Sequence, residues 1–344
     1  MCYVLNAMNI QAVAKRARVS TATVSRTING TAAVDPKTAQ RVWKAVEELN
    51  YFPNSQARSL VSGRSRILGL IVSDITNPFF PELLKGFEDL CIEHDYEILV
   101  SSTNYDPERM EICVRRMLQR QVEGVAILTS EMPKTFIDEF ARRNLPMVFL
   151  DVGVPRDRIS NIRVDYGAGV TQAVDHLLTL GHRRIAFVSG PADLKSARIR
   201  RSAFLRGLEK AGITEGERLV EESDHTVEGG LRAMTRVLQL PQPPTAVLAS
   251  NDITAIGALR AIRLAGLRVP QDFSVVGFDD IGLAEFTDPP LTTVRLPRDE
   301  IAHQAFHALL RYLEPAAGET TPATNGDMHV VETRLVIRES TGPA

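Results

Sequence analysis

The order of apolar and polar positions divides the chain into a short helical head and a long α/β body. In the head, apolar residues such as Ile10, Val13 and Ala17 recur at intervals of three or four, which predicts amphipathic helices. From Ile67 onward, short β-branched runs alternate with helical stretches, as in βαβ units built on parallel sheets. A body of about 280 residues is large for one core, so two lobes are expected. Predicted strands begin at Ile67, Glu97, Val122, Met147, Arg184, Thr245, Phe273, Thr292 and Thr333.

Helix-start signals place three short helices in the head. Asn9 and Ser20 are candidate caps of the first two helices, and Asp35 followed by proline is a strong start for the third. Only Arg18 and Val19 separate the first helix from the cap of the second. This arrangement predicts a helix-turn-helix unit. A small helical bundle without a DNA role stays open at this point.

Charge is distributed unevenly along the chain. The first 66 residues hold ten Lys or Arg and three Asp or Glu, which gives +7, whereas the whole chain has a net charge of −2. A basic head on an acidic body favours a polyanionic partner for the head. The second helix would enter the major groove, where Arg26 can bind guanine and Ala22 can contact a thymine methyl. The predicted DNA contacts in the head are Asn9, Ser20, Thr21, Ala22, Ser25, Arg26 and Asn29.

Several motifs resemble the lactose/galactose repressor (LacI/GalR) family of bacterial transcription regulators. They are VAK at 13–15, VSTATVSR at 19–26, NG at 29–30, LNYFPN at 49–54 and ARSL at 57–60, and the resemblance continues to the C-terminus. It implies an all-α helix-turn-helix head and a periplasmic-binding-protein-like (type I) α/β core of two Rossmann-like lobes. The implied domains are the head at 1–52, a hinge helix and linker at 53–65, and a dimerising core at 66–344. In the core, the N-lobe would hold 66–164 and 296–326, and the C-lobe 165–294 and 327–344.

The same resemblance implies a hinge helix that forms on DNA. Asn54, Ala57 and Leu60 would contact DNA from this helix, with Leu60 as a wedge in the minor groove. Arg18 departs from the family, which usually has glycine there. If the turn needs a left-handed residue, arginine costs about 1–2 kcal/mol, although its side chain can contact a phosphate. Because family members usually begin a few residues before the first helix, we expect translation to start at Met8.

Polar and aromatic residues at predicted strand ends suggest a ligand site between the lobes. Arg200 lies in a stretch that resembles the ligand-binding arginine region of the family, and His225 stands where the family often has an aromatic residue. Carboxylates and an arginine suit a polyol, since they form charge-assisted hydrogen bonds with vicinal hydroxyls. Each residue could instead be a helix cap or part of a surface ion pair. The candidate effector contacts are Phe79, Phe80, Asp151, Asp165, Arg200, His225, Asn251, Asp252 and Asp279.

The sequence therefore predicts a DNA-binding transcription regulator, and specifically a repressor, under effector control. A sugar or sugar derivative is the expected effector. A nucleoside or purine is less favoured because of His225, and a protein corepressor is a further alternative. The expected partners are a pseudo-palindromic double-stranded DNA operator, the effector and a second copy of the chain. A homodimer and not a tail-assembled tetramer is expected, because no heptad tail follows the last strand. Whether the effector releases or strengthens DNA binding is open.

Other classes of protein fit the sequence less well. The chain lacks GxxxxGK[ST], HExxH and CxxC motifs, so we expect neither enzyme activity and catalytic residues nor a metal or cofactor. A solute-binding protein shares the core fold but would need a signal peptide and would not carry residues 9–60. The N-terminus lacks such a peptide, and no apolar run is long enough for a membrane span. A cytoplasmic location, without membrane attachment, is expected.

Overall fold

The computed structural model describes residues 9–30, 32–52, 63–129, 134–314 and 322–344. The chain separates into two compact units, Met1–Arg66 and Ile67–Ala344. They are called the head and the core below.

The head contains α1 (Ile10–Ala17), α2 (Thr21–Asn29) and α3 (Pro36–Glu48). The predicted caps are confirmed, because the side chains of Asn9, Ser20 and Asp35 each accept an N–H from the first turn of their helix. Arg18 ends α1 in the left-handed conformation with φ 55° and ψ 51°. The head core is a small cluster formed by the three helices: Val13, Ala14, Ala17, Val24, Val42 and Ala45.

The N-lobe of the core is built on a six-stranded sheet. Its strands are β1 (Ile67–Val72), β2 (Glu97–Ser102), β3 (Gly124–Leu128), β4 (Met147–Leu150), β5 (Ile159–Asp165) and β11 (Met328–Glu332). They lie in the order β11-β5-β4-β3-β1-β2, with every neighbouring pair parallel. Helices cover both faces of the sheet, and each face carries its own buried cluster. The helices are α4 (Phe79–Glu93), α5 (Pro107–Gln119), α6 (Lys134–Arg142) and α11 (Arg298–Leu313).

The C-lobe repeats this plan. Its strands are β6 (Ile185–Ser189), β7 (Val220–Glu222), β8 (Ala246–Ala249), β9 (Ser274–Asp279), β10 (Thr292–Arg295) and β12 (Arg334–Val336). They lie in the order β12-β10-β9-β8-β6-β7, in which only the β10–β12 pair is antiparallel. Its helices are α7 (Tyr166–Thr179), α8 (Lys195–Lys210), α9 (Val227–Leu238) and α10 (Asp252–Leu264), with short 3₁₀ helices at Gly216–Leu219 and Gly282–Phe286.

Three crossovers join the lobes, and the third differs from its predicted position. The first two follow β5 and β10, as expected. Residues 327–344 were predicted to belong to the C-lobe, but Met328–Glu332 pairs with β5 in the N-lobe sheet, so the chain crosses at Thr333. The strand was missed because it lies at the sheet edge, where only Val331 is fully buried. Thr333 Oγ1 fixes the crossover by donating to the Asp165 carbonyl at 2.6 Å.

Candidate functional site

The exposed face of α2 carries the candidate base-reading side chains of the head. Thr21, Ala22 and Arg26 are exposed there. Farther along the helix, the Asn29 side-chain amide donates to the Ser25 hydroxyl at 3.1 Å. These positions share one face because residues four apart lie one turn apart. The face therefore offers an apolar methyl, a hydroxyl and a guanidinium group to a partner.

Two other predicted contacts of the head use their side-chain oxygens as caps. Asn9 Oδ1 accepts the Ala12 N–H at 3.0 Å, and Ser20 Oγ accepts the Thr23 N–H at 3.1 Å. Both helix N-termini are consequently ordered, with the positive end of each helix dipole beside the cap. The remaining predicted contacts, Asn54, Ala57 and Leu60, lie outside the described residues.

A cleft lies between the lobes at the carboxyl ends of their strands. It encloses about 540 Å³ of empty space, including the part that opens to solvent. The N-lobe and the crossover supply Ser73, Asn77, Phe79, Phe80, Tyr105, Leu128, Thr129, Leu150 and Leu296, and the C-lobe supplies Tyr166, Leu194, Ser196, Arg200, His225, Asn251 and Asp279.

Arg200 is the central cation of the cleft. It is buried on α8, and its guanidinium carbon lies 4.0 Å from the Phe278 ring centroid and 4.8 Å from that of Tyr166. Nη1 donates to the Ser250 carbonyl at 2.5 Å, and Nε has no hydrogen-bond partner among the described residues. Nη2 is 3.8 Å from Asp279 Oδ1, which is too long for a hydrogen bond. A buried guanidinium group with such donors is suited to a ligand that supplies acceptors.

Asp279 faces Arg200 from the end of β9. Burial raises the pKa of its carboxyl to about 7, against the opposing effects of Arg200 and Arg298. The Arg298 guanidinium donates to the main-chain carbonyl of Asp279 at 3.0 Å. Asp279 can therefore exchange a proton near neutral pH, and in its ionised form it can accept a ligand hydroxyl.

His225 forms a wall of the cleft in the left-handed conformation, with φ 61°. Its Nε2 is 3.0 Å from Ser250 Oγ. Burial, followed by the charge of Arg200, lowers the pKa of His225 to about 3, so the ring is neutral. Gly190 leaves room for the ring, since a Cβ there would lie 1.9 Å from His225 Nε2.

The two remaining predicted contacts that line the N-lobe side are aromatic. The rings of Phe79 and Phe80 pack edge to face with centroids 5.2 Å apart, next to Leu128 and Leu150. Asn251 lies on the opposite, C-lobe side, where its Oδ1 caps α10 through the Thr254 N–H at 2.8 Å. The N-lobe side of the cleft thus contributes two phenylalanine rings among polar residues, whereas the C-lobe side contributes the charged pair Arg200 and Asp279.

Three carboxylates that the sequence analysis assigned to the ligand do not line the cleft. Asp165 is exposed and caps α7 by accepting the Ala168 N–H at 3.0 Å. Asp151 and Asp252 are buried, but their oxygens accept hydrogen bonds from the protein itself. In each case a strand-end carboxylate satisfies backbone N–H groups of its own lobe or a neighbouring segment.

Asp252 shows why such a residue is inaccessible to a ligand. Its Oδ1 accepts the Thr293 hydroxyl at 2.5 Å, and its Oδ2 accepts the Ile281 N–H at 2.9 Å. A Cβ on Gly277 would lie 2.1 Å from Oδ1, so the carboxylate packs directly on β9. Burial and the nearby Asp279 raise the pKa of Asp252 well above its ordinary value. The residue supports the cleft from behind.

Several residues that line the cleft were not predicted from the sequence. Tyr105 and Thr129 follow β2 and β3, so the strand-end rule that selected Asp279 would have found them. Tyr166 follows the first crossover directly, and Ser196 lies on α8 one turn before Arg200. No local pattern distinguishes Tyr166, because its place in the cleft depends on how two distant segments cross.

The described residues show neither a metal centre nor a membrane-spanning helix. They contain no group of three or more His, Cys, Asp or Glu side chains arranged to hold a metal ion. Among the helices that the structure describes, none combines the length and the apolar character that a membrane span requires.

Comparisons with known proteins agree with this architecture. Residues 9–54 match the family described as bacterial regulatory proteins, lacI family, and residues 174–341 match a periplasmic binding protein-like domain. The repressor CytR of Escherichia coli (strain K12) is 34% identical over 335 residues, covering 97% of this chain and 96% of the relative. The structure of a Lac repressor dimer bound to operator and the anti-inducer ONPF superposes with a TM-score of 0.82 at 29% identity, covering 97% and 99% of the two chains. A complex of the regulator CelR with cellobiose superposes at 0.70 with 30% identity and the same coverage.

Proposed function

Because the chain belongs to the lacI family of bacterial regulatory proteins, it is a DNA-binding transcriptional repressor under effector control, and we propose that its effector is a sugar or sugar derivative. The effector would lie in the cleft between the lobes. Because the family consists of regulators, we propose that the protein binds its effector without catalysing a reaction. Since the operator DNA of a bacterium lies in the cytoplasm, we place the protein there.

The observation that carries the effector proposal is the pairing of Arg200 with Asp279. Their side chains are buried together, yet the closest guanidinium nitrogen and carboxylate oxygen stand 3.8 Å apart, and Arg200 Nε has no partner among the described residues. Vicinal hydroxyls fit this pair, because one hydroxyl can accept from Arg200 while it or its neighbour donates to Asp279. Asn251 and His225 would bind or enclose other parts of the ring.

A nucleoside is a second candidate because the two sides of the cleft differ. Its sugar would bind Arg200 and Asp279, and its base would lie against Phe79 and Phe80. From the sequence, His225 makes a nucleoside less favoured than a sugar, because the family often has an aromatic residue at this position. However, a neutral, buried imidazole still presents a flat ring to the cleft. The edge-to-face phenylalanine pair supports a ligand with an apolar ring attached to a sugar.

For the head, we propose that α2 reads the operator in the major groove and that two chains bind a pseudo-palindromic site together. Thr21, Ala22 and Arg26 would contact bases, and Ser25 and Asn29 would support them. Asn9 and Ser20 would position phosphates at helix N-termini. Asn54, Ala57 and Leu60 complete the proposed contacts, although they lie outside the described residues.

The test is thermal denaturation of the full chain with a panel of D-ribose, D-galactose, cellobiose, sugar acids, sugar phosphates and the four common ribonucleosides. A ligand at 100 times its dissociation constant stabilises the native state by about 2.7 kcal/mol, which raises the melting temperature visibly. Stabilisation by a sugar but not by nucleosides supports the first candidate, and the reverse supports the second. If no compound shifts the transition, the effector proposal is wrong, and a protein corepressor is favoured.

A further inference from the structure

Asp151 occupies the boundary between the lobes, directly after β4 of the N-lobe. Both carboxylate oxygens have partners: Oδ1 accepts the Val164 N–H at 2.9 Å, and Oδ2 accepts the Tyr166 hydroxyl at 2.6 Å. Tyr166 is the first residue of α7 in the C-lobe. One side chain of the N-lobe therefore fixes the position of an aromatic residue that belongs to the C-lobe and lines the cleft.

A second residue of the C-lobe binds the same position. Lys195, the first residue of α8, donates through Nζ to the main-chain carbonyl of Asp151 at 2.6 Å. Arg200 is carried by the same helix. The start of α8 is thus tied directly to the N-lobe, within two turns of the guanidinium group that faces the cleft.

Tyr166 provides a second connection from Asp151 to Arg200. Its ring lies 4.8 Å from the Arg200 guanidinium carbon, on which Phe278 also packs at 4.0 Å. A shift of Tyr166 would change the surface on which Arg200 rests. Asp151 is therefore linked to Arg200 twice, through the ring of Tyr166 and through Lys195 and α8.

We propose that Lys195, on α8, and Tyr166, on α7, are positioning residues that link Arg200 to Asp151, so that a ligand bound by Arg200 changes the N-lobe through Asp151. Asp151, Tyr166 and Lys195 together form the Asp151 clamp. The inference rests on the effector cleft of the proposed function, but it assigns Asp151 to signal transmission and not to ligand contact. Because the clamp crosses between lobes, its strength sets how much of the binding free energy at Arg200 reaches the N-lobe.

The first experiment measures the response of operator affinity to the panel compound that stabilises the wild type most. Lys195→Met keeps the alkyl stem and removes the donor, and Tyr166→Phe keeps the ring and removes the hydroxyl. A single hydrogen bond corresponds to about a three- to tenfold effect, so each variant should reduce the fold-change in operator affinity by that factor. Lys195→Arg should restore most of the response. Lys210→Met, at the exposed far end of α8, is the matched control.

A second measurement needs no effector. Weakening the clamp in the C-lobe should accelerate hydrogen exchange of the Val164 amide, which donates to Asp151. We expect roughly three- to tenfold faster exchange in Lys195→Met and Tyr166→Phe than in Lys210→Met. Melting temperatures separate this local effect from general destabilisation.

The outcomes distinguish the clamp from the proposed function. If the wild type responds to a compound but both clamp variants respond like Lys210→Met, the clamp is wrong and the effector site stands. If no compound changes operator binding by the wild type, the effector proposal fails, and exchange at Val164 alone decides the clamp. Faster exchange then supports it, and unchanged exchange overturns it.

Discussion

The head and the cleft between the lobes present their charged side chains in opposite environments. Arg26 is exposed on α2, whereas Arg200 and Asp279 are 6% and 5% exposed inside the core. Charges in solvent act over the Debye length and are screened by salt. Buried charges act over hydrogen-bond distances, and their pKa values shift. Operator binding should therefore depend on salt, and effector binding on pH and on individual hydrogen bonds.

The largest expected effect comes from a single substitution, which should weaken effector binding and leave operator binding unchanged. Arg200→Met keeps the apolar stem against Tyr166 and Phe278 but removes every guanidinium donor. Hydrogen bonds to a charged group contribute about 1.5–3 kcal/mol each, so loss of two should weaken effector binding by roughly 100-fold or more. Calorimetric titration measures this loss, and an operator-binding assay without effector should match the wild type.

The neighbouring residue supplies a matched control. Arg201 is partly exposed and pairs with Glu217 on the surface, so Arg201→Met should leave effector affinity unchanged. An Arg200→Met protein that still responds to effector would remove Arg200 from the site. Weaker operator binding by this variant in the absence of effector would show that the two regions are not separable in this way.

The second-largest expected effect is the pH dependence of effector affinity. It follows from the pKa of Asp279, which burial raises to about 7. If an effector hydroxyl donates to the ionised form, as proposed, affinity should rise with pH and be about tenfold weaker at pH 6 than at pH 8. His225, with a pKa of about 3, stays neutral over this range. Folding stability without effector depends on pH in the opposite direction to effector affinity. The Asp279 carboxyl loses its proton near pH 4 in the unfolded chain and near pH 7 in the folded chain. The contribution of Asp279 to stability therefore falls as pH rises between these values.

Calorimetric titrations at pH 6, 7 and 8 check this dependence. Asp279→Asn should bind effector weakly with a flat pH profile. Asp272→Asn is the control, because that carboxyl is exposed and hydrogen bonds from Arg268 lower its pKa to about 2. A wild-type profile that is flat between pH 6 and 8, or one that Asp279→Asn retains, would contradict the role of Asp279.

The same contrast explains which features could be predicted from the sequence. The caps Asn9, Ser20 and Asp35 depend on residues within the next turn, so a short stretch of sequence contains the whole interaction. Strand ends such as Asp279 were found because parallel strands end at a common edge. The broad fold followed from the alternation of strands and helices and from the family motifs.

Features that depend on distant partners were not predictable in this way. A carboxylate at a strand end can face a ligand or accept backbone N–H groups, and the local sequence around Asp151 and Asp252 is the same in either case. The partners that decide between these roles, such as Tyr166 and Thr293, lie 15 and 41 positions away. The strand at Met328–Glu332 was missed for a related reason, since an edge strand buries too little to show a clear apolar pattern.

The smallest expected effect tests the head. Arg18 has φ 55°, a left-handed conformation that costs a residue other than glycine about 1–2 kcal/mol. Glycine avoids this cost, but it gives up more conformational freedom on folding, which offsets part of the gain. Arg18→Gly should therefore stabilise the head by about 0.5–1 kcal/mol, raising its melting temperature by a few degrees. Trp43, the only tryptophan of the chain, lies in α3, so its fluorescence follows the head alone.

If the exposed Arg18 guanidinium also binds a phosphate, Arg18→Gly should bind operator less tightly, and the dependence of log affinity on log salt concentration should be reduced by about 1. Arg18→Lys keeps the charge and should retain both the melting temperature and the slope. In Arg18→Gly, by contrast, the stability of the head would rise while its operator affinity falls. A residue with only a structural role in the turn would not cause this opposite change. An unchanged slope in Arg18→Gly would show that the arginine makes no phosphate contact, and the head would then rely on α2 and the helix N-termini.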